Sequence, residues 1–309
     1  MSSGKMPMIT NLWSKVVDGE KGEWFSKVVI ESTKPYQYAV KDIDTGIVLA
    51  GSGVLVNMPE GRIEVNDGLI REINITQEGA GDTRVEMVLE HPVKFDLKCL
   101  AGFPHRLVVN LDRSDIIGLF KGKKIVVDPG HGGRDFGGKG PVSLLEKNVV
   151  VPVAKNLEKL LHRTGAQVLM TRGGDEDMPV KDRISLAVEA GADAYISLHT
   201  HASADSSIDG AATLYATSNS QSARLAGFVQ EEIIKKLKVR DRGTAGQPGL
   251  AGIGENIPAV EVEVVTITNI VEEVFLRGLT IQKRAAEGIV NGLIKYFALE
   301  GRNLKGDVR

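Results

Sequence analysis

The residues of this 309-residue chain that could do chemistry together are three histidines and three glutamates, spread over some 130 positions. His131 stands in a glycine-rich turn, Glu146 opens a helical pattern, His199 ends an apolar run with His201 two residues on, and Glu261 and Glu263 interrupt a run of valines. Two histidines and one carboxylate around an ion, with a second carboxylate nearby and no fourth strong ligand, have the composition of a catalytic zinc site with one open position. Such a site activates water, an adjacent glutamate moves the proton, and the chemistry is amide hydrolysis.

Each residue also has a plainer explanation. A glycine-rich turn after a strand is ordinary turn chemistry. Glu146 follows Ser143 by three, the spacing of a capping box. His199 and His201 could be solvent-facing ends of a strand. Acidic residues inside an apolar strand are harder to dismiss, because an unpaired buried carboxylate costs several kcal/mol, on the order of 3 or more, and a positive partner is expected.

The elements that must position these residues follow from periodicity. Ile125 to Val127 run into Asp128-Pro129; proline cannot continue a central strand, and the glycines after it let the chain turn beside His131. A helix is expected to about Arg163, then a strand from Ala166 to Thr171, a helix from Pro179 to Gly191, a strand from Ala194 to His199, a strand from Gly210 to Ala216, a helix from Ser218 to Leu237, a strand from Ala259 to Val265, and helix from Glu272 to Ala298 broken near Gly278. That alternation predicts an α/β domain with a mainly parallel or mixed central sheet flanked by helices, its functional groups at the carboxyl ends of strands.

Before it, from Lys27 to Leu111, short period-two runs such as Val85, Met87, Leu89 alternate with breakers such as Asn66-Asp67-Gly68. They predict seven or eight antiparallel strands in an all-β sandwich, with Trp13 and Trp24 ahead of the strands, either capping the sandwich or on a contact surface. The expected organisation is an N-terminal segment at 1–26, the sandwich at 27–112, a linker at 113–122 whose apolar residues pack against a domain, the α/β domain at 123–299 and a charged, frayed tail at 300–309.

With 42% hydrophobic and 25% charged residues the composition is globular, and the net charge of −2 leaves no basic footprint for nucleic acid. One cysteine, Cys99, excludes an intrachain disulfide. No apolar run approaches the roughly 20 residues of a membrane span, and the first residues lack the apolar stretch of a secretory signal.

Residues 123–297 resemble the catalytic domain of the zinc-dependent N-acetylmuramoyl-L-alanine amidases. The resemblance rests on Val-Asp-Pro-Gly-His131-Gly-Gly-Arg-Asp-Phe-Gly, Leu-Leu-Glu146-Lys-Asn, Thr171-Arg172 with Arg183 beyond, Ala192-Asp-Ala-Tyr-Ile-Ser-Leu-His199, and Pro258-Ala-Val-Glu-Val-Glu263 with Asn269 beyond. It implies one zinc ion per chain held by His131, Glu146 and His199, with Glu263 as the catalytic carboxylate. The implied reaction is cleavage of the bond between muramic acid and L-alanine in peptidoglycan, in wall remodelling or daughter-cell separation, outside the cytoplasm. The segment around Pro-Tyr-Gln-Tyr-Ala-Val and His105 to Asp112 resembles the AMIN domain, which implies targeting to the wall or to envelope and division proteins.

The chain departs from the family pattern at four places. His201 stands where the family has Asn or Asp, and it could compete as a ligand, orient a neighbour or touch substrate; a neighbour-orienting or substrate-contacting role is expected, as for Glu261 and Asn269. Glu261 replaces an apolar residue on the face of Glu263, Val265-Thr266 replaces Gly-Phe, and an arginine is lost near Ile253. These changes leave open a non-catalytic peptidoglycan-binding or regulatory protein that keeps the fold. No extra helix is expected between His199 and Pro258 to cover the site.

Overall fold

The computed structural model describes residues 5–20 and 22–306 and divides into two compact units, Met1–Asp115 and Ile116–Arg309.

The first unit is all β. Its strands are β1 (Met8–Asp18), β2 (Trp24–Ser32), β3 (Gln37–Ile43), β4 (Gly46–Ser52), β5 (Leu55–Val56), β6 (Gly61–Glu64), β7 (Ile70–Glu78), β8 (Asp82–Leu89), β9 (Phe95–Leu100) and β10 (His105–Asp112). They form two five-stranded sheets, ordered β5-β1-β2-β10-β9 and β3-β4-β8-β7-β6. Period-two alternation sends Val28, Ile30, Leu107 and Val109 of one sheet and Leu49, Ile73, Val85 and Met87 of the other into full burial. The strands number ten and begin at Met8, ahead of the expected Lys27, because β1 lies antiparallel along β2 despite a half-exposed, irregular pattern. Both tryptophans therefore belong to strands. Trp24 is buried under the Arg113 guanidinium, 4.1 Å from its ring centroid, and Trp13 is 37% exposed.

The chain passes to the second unit through α1 (Ser114–Phe120), where a linker was expected. Phe120 is fully buried and meets Phe297 edge-on at 5.2 Å.

The second unit is an α/β layer structure. A six-stranded sheet runs β12 (Gln167–Met170), β11 (Lys124–Pro129), β13 (Ala194–His201), β16 (Ala259–Thr266), β14 (Ala211–Tyr215), β15 (Asp241–Gly246). The first four are parallel, β14 is antiparallel to β16, and β15 is parallel to β14, so the sheet is mixed. Helices α2 (Glu146–Arg163) and α4 (Ser220–Leu237) pack against it, and α6 (Leu279–Gly306) packs against both helices. Val126, Tyr195 and Ala259 face the other way, onto α3 (Val180–Ala190) and a 3-10 turn at Pro248–Ile253.

Two expectations change. The stretch between Leu237 and Ala259, for which the sequence predicts no strand, contains β15, and residues 300–306 of the expected frayed tail continue α6; residues 307–309 lie outside the described residues. Gly278 does separate α5 (Ile270–Leu276) from α6.

Candidate active site

Strand β11 delivers His131 on a turn that two buried arginines hold. Past Asp128-Pro129 the chain turns at Gly130 and takes the left-handed conformation at His131, φ 60°, which a residue with a Cβ adopts only when its surroundings enforce it. Arg183 donates to the carbonyls of Pro129 (2.7 Å) and His131 (2.6 Å); Arg172 donates to those of Pro129 (2.8 Å) and Gly130 (2.5 Å). Both guanidinium groups are buried, and Arg183 is paired with Asp128 at 2.8 Å. Asp128 also accepts from the hydroxyls of Thr171, Tyr195 and Ser197. Burial pushes its carboxyl up, but Arg183 and the hydroxyls outweigh this and hold it below the usual range.

The His131 ring is oriented from both sides. Nδ1 lies 2.8 Å from Asp135, whose other oxygen accepts from the amide of Gly137, and Nε2 lies 3.2 Å from Glu146. A carboxylate on Nδ1 sets the tautomer that presents Nε2 to a ligand.

Glu146 is the first residue of α2 and is 2% exposed. It completes no capping box: Leu145 is the N-cap, without a side-chain cap, and Ser143 has φ 66°. Its carboxylate points into the domain, where it accepts from the amides of Gly138 and Thr200, both at 2.7 Å. One oxygen faces His131 and the other lies 3.1 Å from His199 Nδ1. Burial opposes its charge, yet the two imidazoles win and hold its carboxyl far below the usual range. The same carboxylate and Asp135 raise His131 to about 8 against burial, and Glu146 with Glu261 raises His199.

His199 arrives on β13 with its ring edge-on to His131, centroids 4.8 Å apart. Donor atoms of His131, Glu146 and His199 all lie within 4.8 Å of one another. The rings leave no room on the turn: a Cβ on Gly130 would sit 2.2 Å from His199 Cε1, and one on Gly137 2.5 Å from His131 Cδ2. Gly130→Ala is therefore expected to displace His199 and lower uptake of a divalent cation, read as metal content after dialysis. Uptake equal to that of the parent chain would refute this packing argument.

Next to this cluster, β16 pairs in parallel with β13 and sets Glu263 in register with His199. Glu263 accepts from Arg242 Nη1 at 2.9 Å and lies 3.3 Å from His201 Nδ1. Glu261, in register with Ser197, takes a different partner, Gln247 Nε2 at 3.1 Å. His201 thus meets Glu263. Asn269 is not brought to the cluster: it caps α5, accepting from the amides of Val271 and Glu272 and donating to the Ser206 carbonyl. A cavity of about 270 Å³ opens beside the cluster between His131, Asp135, Asp177, Met178, Arg183 and His199.

Asp135, Arg242 and Gln247 were not singled out from the sequence. Asp135 carried a signal, an acid four residues past a glycine-flanked histidine. The other two lie on or beside β15, which shows no apolar alternation.

Residues 125–295, just over half the chain, match the family model described as N-acetylmuramoyl-L-alanine amidase. The chain belongs to this family. Among its curated relatives, the probable cell wall amidase LytH of Staphylococcus epidermidis is 36% identical over 201 residues, 64% of this chain and 67% of that protein. The amidase AmiC of Escherichia coli O6:H1 is 25% identical over an alignment that covers 89% of this chain and 87% of AmiC. Among solved structures, an N-acetylmuramoyl-L-alanine amidase from Clostridium difficile 630 superposes with a TM-score of 0.54 at 33% identity, covering 56% of this chain and 96% of the other. No helix among the described residues is long and apolar enough to cross a membrane.

Proposed function

We propose that this chain is a zinc-dependent amidase that hydrolyses the bond between N-acetylmuramic acid and L-alanine in peptidoglycan. The observation that carries this is the convergence of His131, Glu146 and His199, donor atoms within 4.8 Å, beside a fourth residue, Glu263, that belongs to no part of that set.

The donors suit zinc. They are two imidazole nitrogens and a carboxylate oxygen, and the imidazoles stand 3.2 and 3.1 Å from Glu146. Ligands about 2.1 Å from a tetrahedral centre are separated by roughly 3.4 Å, close to both of these spacings, so the donors accommodate the ion with little movement. Zinc, when bound, supplies Lewis acidity toward a carbonyl and toward water. The protein's own residues do the rest. Asp135 holds His131 in the ligating tautomer. Glu263 takes the proton of the attacking water and returns it to the departing alanine amine. Arg183 and Arg172 keep the turn of His131 in place.

The setting is proposed to be extracytoplasmic, in wall remodelling or daughter-cell separation, with the first unit as an AMIN-like module that localises the enzyme on the wall or its division machinery. Between His199 and Pro258 the described elements are β14, α4, β15 and a 3-10 turn, so the free protein is expected to cleave without an activator.

The test is a peptidoglycan digest scored for new L-alanine amino termini, with metal content measured on the same sample. The parent chain is expected to release them, and His131→Ala to lose both metal and release. A fully metal-loaded parent that releases none would favour the non-catalytic alternative.

A further inference from the structure

We propose that Arg242 is a positioning residue for Glu263: a side chain from the sheet edge that fixes the orientation of the carboxylate assigned above as proton carrier, on which assignment this inference rests. Glu263 sits on β16, and Arg242 on β15, with β14 between them. Two strand spacings are about 10 Å, a gap only long side chains on both strands can bridge. The bridge is made, with Arg242 Nη1 at 2.9 Å from Glu263 Oε2. It passes over Ala212, the residue of β14 in register with Glu263, whose methyl group lies on the same face.

The far end of the bridge is anchored. Asp241, next to Arg242, accepts from Gln230 Nε2 at 2.6 Å and from the Gly243 amide at 2.8 Å. Gln230 is buried on α4 and also takes the hydroxyl of Thr213 and gives to the Ala211 carbonyl. A packed helix therefore fixes the strand that carries Arg242. On the other side, His201 approaches the second oxygen, Oε1, at 3.3 Å. A glutamate has three rotatable bonds and, unheld, samples several rotamers. Gripped at both oxygens, its carboxylate plane is set, with 13% of the side chain left exposed. This grip uses a histidine that stands where the family has Asn or Asp, and an arginine on a strand with no apolar pattern.

The experiment compares Arg242→Gln, Arg242→Lys, Glu263→Gln and the Arg242→Gln/Glu263→Gln double variant in the metal-loaded full chain, measuring kcat, KM, metal content and thermal midpoint. Arg242→Gln is expected to lower kcat about 10²-fold, the penalty of a misplaced catalytic group, with KM and metal content close to those of the parent. Arg242→Lys should recover part of the loss, since it keeps the charge and reach but lacks the planar fork. The double variant should be no slower than Glu263→Gln, because the arginine acts only through the glutamate. Parent-like kcat in Arg242→Gln, loss of metal from it, or a double variant slower than Glu263→Gln by the full Arg242→Gln factor would overturn the proposal. Should the glutamine variant unfold, a lysine variant with parent-like midpoint and undiminished kcat does the same. Retained turnover in Glu263→Gln removes the assignment of Glu263 and this inference with it, whereas full turnover in Arg242→Gln beside an inactive Glu263→Gln removes the inference alone.

Discussion

Replacing Glu263 with glutamine should lower the release of L-alanine amino termini by about 10²- to 10⁴-fold and leave the metal in place. The two halves of this expectation come from separate contacts. Glu263 lies outside the group formed by His131, Glu146 and His199, so its loss removes no ligand. Its own partners are Arg242 and His201, and glutamine, being nearly the same size, disturbs the sheet little. What disappears is a basic oxygen able to accept a proton. Rate and metal content must be measured on one preparation. A variant within a few-fold of the parent would show that another group carries the proton, and His201, 3.3 Å from Glu263, is the first to examine. A variant that loses metal would place Glu263 among the ligands. His131→Ala supplies the contrast, since metal and rate should fall together.

The parts of this molecule that the sequence made legible are those where side-chain pattern and backbone requirement coincide. The β11 turn is one: β-branched residues, then proline, then glycines leave few conformations for His131, and the α/β alternation places β13 and β16 beside it. Glu146 was ambiguous for a physical reason. A carboxylate in the first turn of a helix suits a cap as well as an inward-facing role, and only the left-handed Ser143 and the Leu145 N-cap exclude the capping box. Strand β1 was hidden because it pairs on both sides yet keeps an irregular, half-exposed pattern, with Trp13 facing outward. Strand β15 was hidden more deeply. Asp-Arg-Gly-Thr-Ala-Gly has two glycines and no apolar alternation, and its strand geometry is imposed by β14 and by the anchoring of Asp241. Arg242 could not be assigned to Glu263 without knowing that β15 exists. Asn269 shows the reverse. Its match to the family pattern beyond Glu263 implied contact with the site, whereas Asn is also a strong N-cap residue, and capping is the use its side chain serves.

The second large effect is expected at Arg183. Arg183→Met should destabilise the α/β unit by about 3–5 kcal/mol, the penalty for leaving one member of a buried ion pair without its partner. Asp128 would then remain in a site where it is 3% exposed, with only hydroxyl donors. The pH dependence follows from the sign of its shift. Asp128 in the folded chain is held below its ordinary value by Arg183 against burial. Its pairing therefore stabilises fully above the unfolded carboxyl pKa, about 3.9, and the contribution is lost as pH falls through that value toward the folded one. The deficit of Arg183→Met should accordingly be greatest near neutrality and shrink below about pH 4. Metal binding gives a second, separable readout, because Arg183 also donates to the carbonyls of Pro129 and His131, and so holds the left-handed turn that aims the imidazole. Arg183→Lys keeps a cation beside Asp128, but an ammonium cannot reproduce the fork that reaches both carbonyls. The lysine variant should thus regain much of the stability while still binding metal more weakly than the parent. If stability and metal affinity recover together in Arg183→Lys, charge alone positions the turn, and the bidentate argument fails.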